Sequence, residues 1–172
     1  YTKSLWAVRS FKRDQKSRPS GDAVPVVSVQ NIDASYGQTP VLHDVSFDIH
    51  AGMTVAVVGE SGSGKSTTAR CITGLLPPTA GQVLFKGEEL PPNYRQRTKD
   101  QLRQAQMIYQ MADTALNPKV QIKEIIGRPA QFYGGLKGNA LKSRVDELLD
   151  LIELEPSQYY NRYPPELSGG QK

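Results

Sequence analysis

The nine residues GESGSGKST (59–67) constrain the fold more than any other stretch of the sequence. They follow the short β-branched run MTVAVVG (53–59) and lead into KSTTARCITGLL (65–76), a predicted helix that Pro77 and Pro78 close. The spacing Gly-x4-Gly-Lys-Ser between a strand and a helix is typical of a phosphate-binding loop (P-loop). The glycines do not have the spacing of a dinucleotide fingerprint. A glycine-rich turn with a surface lysine is the simpler alternative.

The chemistry of this pattern gives its side chains distinct predicted roles. Glycines let backbone N–H groups converge on an anion, and the N-terminus of the following helix adds partial positive charge. Lys65 is predicted to reach the β- and γ-phosphates of a nucleotide, and Ser66 to offer its hydroxyl to Mg²⁺. The predicted phosphate-binding residues are Gly59, Glu60, Ser61, Gly62, Ser63, Gly64, Lys65, Ser66 and Thr67.

Three further segments have the patterns of strands. Apolar and polar residues alternate in VVSVQNIDASYG (26–37) and VLHDVSFDIH (41–50), on either side of the turn-like GQTP, which predicts an antiparallel pair. GQVLFKG (81–87) predicts another short strand. The run at 53–59 is continuously apolar, as in a strand buried on both faces of a parallel sheet. Residues 26–91 are therefore expected to form an α/β core.

From about residue 92 the sequence takes on a helical pattern. Leu141, Val145, Leu148, Leu149 and Ile152 recur at helical spacing and predict one apolar helix face. A mostly helical region over 92–166 is therefore expected after the core.

The pentapeptide LSGGQ (167–171) lies about a hundred residues after the P-loop. Its serine is a good helix N-cap, and its glycines allow close backbone approach. A P-loop followed by LSGGQ resembles the ATP-binding cassette (ABC) ATPases, over residues 26–172. The resemblance implies an α/β P-loop NTPase fold with an antiparallel β subdomain and an inserted helical subdomain. In this family the pentapeptide is called the signature loop. The resemblance implies that this loop contacts ATP held by a second cassette, through Leu167, Ser168, Gly169, Gly170 and Gln171.

The resemblance implies roles for two more residues. Tyr36 matches the aromatic residue that stacks on adenine, although a tyrosine at a strand end can also serve packing alone. Gln110 matches the Q-loop glutamine, which positions Mg²⁺ and the attacking water. A neutral amide can orient a water but cannot take its proton. Met111 and Ala112 stand where many relatives have Asp-Pro, so the shape of this loop is expected to differ.

ALNP (115–118), with the P-loop and YPPELSGGQ, resembles the branch of ABC ATPases that imports oligopeptides, dipeptides and nickel. The resemblance implies a cassette on the cytoplasmic side of the membrane, bound to permease subunits and paired with a second cassette. It implies ATP and Mg²⁺ as cofactors, and ATP hydrolysis that drives solute uptake. No residue of a cassette touches the cargo, so the sequence does not identify the solute.

The family also needs an apolar strand ending in Asp, a catalytic Glu after it, and a switch histidine further on. LLDLIELE (148–155) has helical periodicity, so Asp150 and Glu153 are predicted to lie on a solvated helix face. His43 and His50 precede the P-loop and do not match the switch histidine. We therefore expect these 172 residues to bind Mg²⁺–ATP and to hydrolyse it very slowly or not at all.

The first residues suggest a second cassette in the same polypeptide. YTKSLWAV (1–8) resembles a segment near the C-terminus of cassettes in this branch, and RDQKSRPSGDAVP (13–25) has the composition of a linker. Residues 1–12 are thus interpreted as the tail of a preceding cassette. The alternative is an unrelated basic N-terminal arm.

Composition excludes several other classes. Six of the 21 basic residues lie in the first 20 positions, so the net charge of +4 belongs to a tail and does not indicate a nucleic-acid-binding face. The single cysteine, Cys71, excludes an internal disulfide.

Two alternatives to a transporter ATPase stay open: a non-transport ABC ATPase of DNA repair or translation, and a small-molecule P-loop kinase. The first is expected to carry coiled-coil or strongly basic insertions, and the second has no use for LSGGQ.

Overall fold

The computed structural model describes residues 24–111 and 115–172. The predicted tail (1–12), and all but the last two residues of the predicted linker (13–25), lie outside the described residues. The chain divides into two compact units, one ending at Gln96 and the other running from Arg97 to Lys172. Each unit has its own buried apolar cluster, so each is held together by its own core.

The described part of the first unit is built on a four-stranded antiparallel sheet. Its strands are β1 (Val27–Tyr36), β2 (Thr39–Ile49), β3 (Ala80–Phe85) and β4 (Glu88–Glu89), in the order β2-β1-β3-β4. β1 and β2 form a hairpin in which Tyr36 pairs with Thr39. The antiparallel pair predicted from the alternating pattern is therefore confirmed, as is the strand predicted at 81–87.

A bulge in β1 sets which of its residues face the core. Asn31 has a φ of 48°, and the pairing of β1 with both neighbouring strands shifts register at this point. The extra residue lets Ile32 and Ala34 point inward with Val29, although strict alternation from Val29 would place Asn31 there. The bulge therefore keeps a polar side chain out of the core.

Helix α1 (Lys65–Thr73) follows the glycine loop and packs on this sheet. Thr67, Thr68 and Cys71 are its buried residues. The helix ends three residues earlier than predicted, because Gly74 adopts a left-handed conformation with a φ of 75° and caps it ahead of the two prolines.

Cys71 offers a test of this packing. Burial raises the pKa of its thiol, so the reactive thiolate is scarcer than for an exposed cysteine. We expect iodoacetamide at pH 8 to label Cys71 at least about 100-fold more slowly in the folded protein than in urea. Mass spectrometry of the alkylated peptide measures both rates. Equal rates would show that α1 does not stay packed on the sheet.

The strand predicted at 53–59 does not form. Residues 53–60 are irregular and exposed, and Val58 is 88% exposed. A strand needs a neighbour to satisfy its backbone N–H and C=O groups, and within the described residues none of the four strands pairs with this segment. The prediction was wrong for this chain because β-branched composition alone cannot supply that neighbour.

The second unit is helical, as predicted. The helices that lie wholly within its described residues are α2 (Lys99–Gln104), α3 (Ile122–Gly134), α4 (Gly138–Leu151) and α5 (Pro156–Tyr159), followed by a 3-10 turn at Pro164–Glu166. α3 packs against α4. Among the helices in the described ranges, none has the length and apolar character needed to cross a membrane.

The buried cluster of this unit joins the helices to the chain that follows them. Its members are Ile122, Val145, Leu149, Leu154 and Leu167. Val145 and Leu149 of α4 are buried as predicted, but Ile152 is 55% exposed. The helix ends at Leu151 and Ile152 is its C-cap, so the helical spacing no longer directs this side chain inward.

Candidate nucleotide-binding site

The glycine loop before α1 has the backbone conformation that its sequence predicts. Gly62 and Gly64 have φ values of 88° and 91°, in the left-handed region that favours glycine. A Cβ atom on Gly64 would lie 2.5 Å from Cδ2 of Leu42, which is buried in the core. A residue larger than glycine at position 64 is therefore excluded by both conformation and space.

Gly64 is also the N-cap of α1, and within the described residues no side chain caps the helix. The N–H groups of the first turn of a helix have no intrahelical partner, and here they meet the glycine loop directly. The nine-residue helix thus presents donors and partial positive charge at the loop. This arrangement suits an anionic ligand.

The Lys65 ammonium is held against the loop by three oxygen atoms. Nζ donates to the carbonyl oxygens of Gly59 at 2.8 Å and Glu60 at 2.6 Å, and lies 3.3 Å from Oγ of Ser63. These acceptors belong to exposed residues. The ammonium is therefore placed over the loop, with neutral acceptors that an anion can replace.

The three hydroxyl residues that follow Lys65 differ in exposure. Ser66 is exposed, whereas Thr67 and Thr68 are buried. The Thr68 hydroxyl donates a hydrogen bond to the carbonyl oxygen of Gly64 at 3.1 Å. Of these three residues, only Ser66 is exposed to solvent; its Mg²⁺ role stays a prediction. Glu60 and Ser61, also predicted here, are exposed.

Tyr36 ends β1, and the residue is 43% exposed. Its hydroxyl oxygen accepts a hydrogen bond from Nη1 of Arg70, a residue of α1, at 2.7 Å. The structure therefore links the predicted aromatic residue to the helix that begins at the P-loop. Sequence reasoning missed Arg70, because nothing in the spacing of 34 residues predicts this contact.

The other predicted site residues lie in the second unit. Gln110 is exposed in an irregular stretch between α2 and α3. Leu167 is buried in the second core, while Ser168, Gly169 and Gly170 are exposed immediately after it. The signature loop is thus anchored at its first residue and open at the next three.

Gln171 closes the signature loop on itself. Its Oε1 accepts from the backbone N–H of Ser168 at 3.0 Å, and its Nε2 donates to the hydroxyl of Tyr159 at 2.7 Å. The guanidinium of Arg162 lies 4.6 Å from the centre of the Tyr159 ring. Sequence reasoning missed Tyr159, whose only sequence signal is a pair of aromatic residues before the motif.

This bond predicts a measurable effect of Tyr159→Phe. The change keeps the ring and removes the acceptor, so we expect the second unit to lose about 1 kcal/mol of stability. We also expect faster hydrogen exchange at residues 168–171. Tyr160→Phe is the matched control, because within the described residues the Tyr160 hydroxyl makes no hydrogen bond. Equal effects of the two changes would show that the Gln171 contact does not hold the loop.

The described residues contain no group of three or more His, Cys, Asp or Glu side chains that could hold a metal ion by themselves. His43 is exposed and Cys71 is buried in the first core. A cation at the P-loop would thus depend on Ser66 together with oxygen atoms of a bound ligand.

Comparison with known proteins gives the family and the fold of this chain. The model of the ABC transporter family matches residues 42–172. The nickel import ATP-binding protein NikE of Brucella suis is 38% identical over 148 residues, which are 86% of this chain and 55% of that protein. The oligopeptide transport ATP-binding protein OppF of Lactococcus lactis is 40% identical over 131 residues, 74% of this chain and 40% of its own length. The chain thus spans about half the length of these relatives.

Solved structures show the same fold. An ATP-binding subunit of an ABC transporter superimposes with a TM-score of 0.65 and 27% identity, over 85% of this chain and 58% of that one. A dimeric ATP-binding cassette in a post-hydrolysis state with ADP and phosphate has a TM-score of 0.65 and 29% identity, over 84% of this chain and 64% of that one. The α/β P-loop NTPase fold predicted from the motifs is confirmed. The chain therefore belongs to the ABC transporter family, with relatives among the ATP-binding proteins of nickel and oligopeptide import.

Proposed function

We propose that this chain binds Mg²⁺–ATP as the nucleotide-binding part of an ABC importer that takes up peptides or related solutes. The observation that carries the proposal is the placement of the Lys65 ammonium over a glycine loop at the uncapped N-terminus of α1. Two sources of positive potential meet there: the ammonium, and the first-turn N–H groups that form the positive end of the helix dipole. A polyphosphate is the ligand that such a site fits best.

Binding is proposed to exchange the partners of Lys65. The ammonium leaves the neutral carbonyl oxygens of Gly59 and Glu60 and donates to anionic phosphate oxygens, which form stronger, charge-assisted hydrogen bonds. The released carbonyl groups are exposed and are satisfied by water. The exchange therefore costs little in the protein and favours the bound state.

Ser66 is proposed to hold Mg²⁺ together with the phosphates, since its hydroxyl is exposed beside Lys65. The ion neutralises negative charge on the phosphates when it is bound. Gln110 is proposed, on the family resemblance, to position Mg²⁺ and the attacking water. Its exposure in the second unit leaves its amide available for that role.

The exposed loop residues Ser168, Gly169 and Gly170 are proposed to contact ATP on a second cassette. Exposed glycines and a serine hydroxyl can approach phosphate oxygens closely. The Gln171 amide already has two internal partners, so its proposed contribution is to hold this loop in shape. The related cassette solved as a dimer supports pairing of two cassettes.

Transport and location are proposed from the relatives. Nickel and oligopeptide import proteins are among them, which favours a role on the cytoplasmic face of a membrane, bound to permease subunits. The identity of the solute is left to experiment, because ATP-binding subunits do not contact it. A tandem arrangement with a preceding cassette is proposed on the resemblance of residues 1–8.

Calorimetric titration of Mg²⁺–ATP, with phosphate release followed in parallel, tests the proposal. We propose that one nucleotide binds per chain and that these 172 residues show no phosphate release that depends on Lys65. Absence of binding by a protein shown to be folded would overturn the nucleotide site. Lys65-dependent turnover would overturn the expectation that these residues lack a catalytic base.

A further inference from the structure

The hydrogen bond between Arg70 and Tyr36 connects two parts of the proposed nucleotide site. Tyr36 is the last residue of β1, and the turn after it has Gly37 at a φ of 59°. Arg70 lies in the last turn of α1 and donates from Nη1 to the tyrosine hydroxyl at 2.7 Å. A short bond from a charged donor restricts an exposed tyrosine that could otherwise change rotamer.

Helix α1 contains both Arg70, which holds the Tyr36 ring, and Lys65, which lies at the phosphate end of the site. Arg70 follows Lys65 by five residues, a distance of about 7.5 Å along the helix axis. The helix is fixed to the sheet by the buried residues Thr67, Thr68 and Cys71. The Tyr36 ring is therefore held relative to the same rigid element that presents Lys65 and the first-turn N–H groups.

We propose that Arg70 is a positioning residue that sets the Tyr36 ring for stacking on the purine base of the bound nucleotide. This inference rests on the proposed nucleotide-binding function. The distance between a stacking ring and a phosphate site must match the base-to-phosphate span of the ligand. A ring that is already held in place loses less conformational entropy when the ligand binds. Arg70 thus raises the affinity for the base and leaves the affinity for the phosphates unchanged.

Comparison of Mg²⁺–ATP with Mg²⁺–tripolyphosphate, which has three phosphates and no base, separates these contributions. We expect Arg70→Ala to weaken Mg²⁺–ATP binding about tenfold, the scale of one charge-assisted hydrogen bond. Tripolyphosphate binding is expected to change by less than about twofold, because Lys65 and the loop are unaffected. Arg103→Ala, which removes an exposed arginine of α2, is the control and is expected to change neither ligand.

Tyr36→Phe and the double variant test whether Arg70 acts through the tyrosine hydroxyl. Tyr36→Phe keeps the stacking ring and removes the acceptor, so we expect a similar loss for Mg²⁺–ATP. Arg70→Ala should then add less than about twofold in the Tyr36→Phe background, since the two residues share one bond. Both substitutions are at partly or fully exposed positions, and urea unfolding of each variant checks that the fold is kept.

Three results with the variants would overturn the inference. If Arg70→Ala weakened binding of both ligands equally, Arg70 would act on phosphate binding or on the stability of α1, and not on the base. A full additional loss in the Tyr36→Phe background would show that Arg70 acts independently of the hydroxyl. Unchanged Mg²⁺–ATP affinity in Arg70→Ala would show that the bond does not position the ring. If the folded wild-type protein bound neither ligand, the nucleotide site itself would be refuted. If it bound Mg²⁺–ATP no more tightly than Mg²⁺–tripolyphosphate, the phosphate site would stand but there would be no base site.

Discussion

Replacing Lys65 by alanine is expected to weaken Mg²⁺–ATP binding by about 100-fold, the loss of two charge-assisted hydrogen bonds. The ammonium lies 2.8 Å and 2.6 Å from the carbonyl oxygens of Gly59 and Glu60, where it can donate to a bound polyphosphate without moving the helix. Alanine removes the charge and all three N–H donors of the ammonium. The stability of the fold is expected to change by less than about 0.5 kcal/mol, because those carbonyl groups are exposed and bind water instead.

Calorimetry of the two proteins measures the affinity, and urea unfolding measures the stability. Lys119→Ala is the control, since it removes the same charged side chain at an exposed position in the second unit. It should leave the affinity unchanged. If Lys65→Ala bound Mg²⁺–ATP as tightly as the wild type, the glycine loop would not be a nucleotide site.

Gly81→Ala is expected to lower the free energy of unfolding of the first unit by about 3 kcal/mol or more, through both strain and overlap. Gly81 lies in β3 with a φ of 80°, opposite the bulge at Asn31. A Cβ atom at this position would overlap the carbonyl oxygens of Gln30 and Asn31. These are backbone atoms of the central strand β1, so they cannot move aside as a flexible side chain could.

Gly37→Ala separates strain from overlap. Gly37 has a φ of 59°, but a Cβ atom there would have nothing within 4 Å. Only the left-handed conformation is then unfavourable, at about 1 kcal/mol. Urea midpoints of the two variants should therefore differ clearly. Equal losses would show that β3 can move away from the bulge and that the close approach is not required.

The local features of this protein follow from short stretches of sequence. The loop at 59–64, its positive φ values and the start of α1 are set by glycines and a lysine within a few residues of one another. The β1–β2 hairpin follows from alternation on either side of a turn. In both cases the information lies close together in the chain, so a sequence pattern is enough to predict it.

The features that sequence analysis missed depend on distant residues. Arg70 reaches Tyr36 across 34 positions, and Gln171 reaches Tyr159 across 12. Neither contact has a spacing that periodicity detects. The strand predicted at 53–59 failed for the same reason, since a strand depends on neighbours that local composition does not specify.

The exposed valines at 53–58 also affect the denaturant dependence of unfolding. Denaturant slopes (m-values) scale with the surface that unfolding newly exposes. Val55, Val57 and Val58 are already 42%, 51% and 88% exposed in the folded state, so they contribute less to that change than buried valines would. The first unit should therefore unfold with a shallow urea dependence for its length. A ligand or chain segment that buries residues 53–58 in the folded state is therefore expected to give a steeper m-value, even where the midpoint is unchanged.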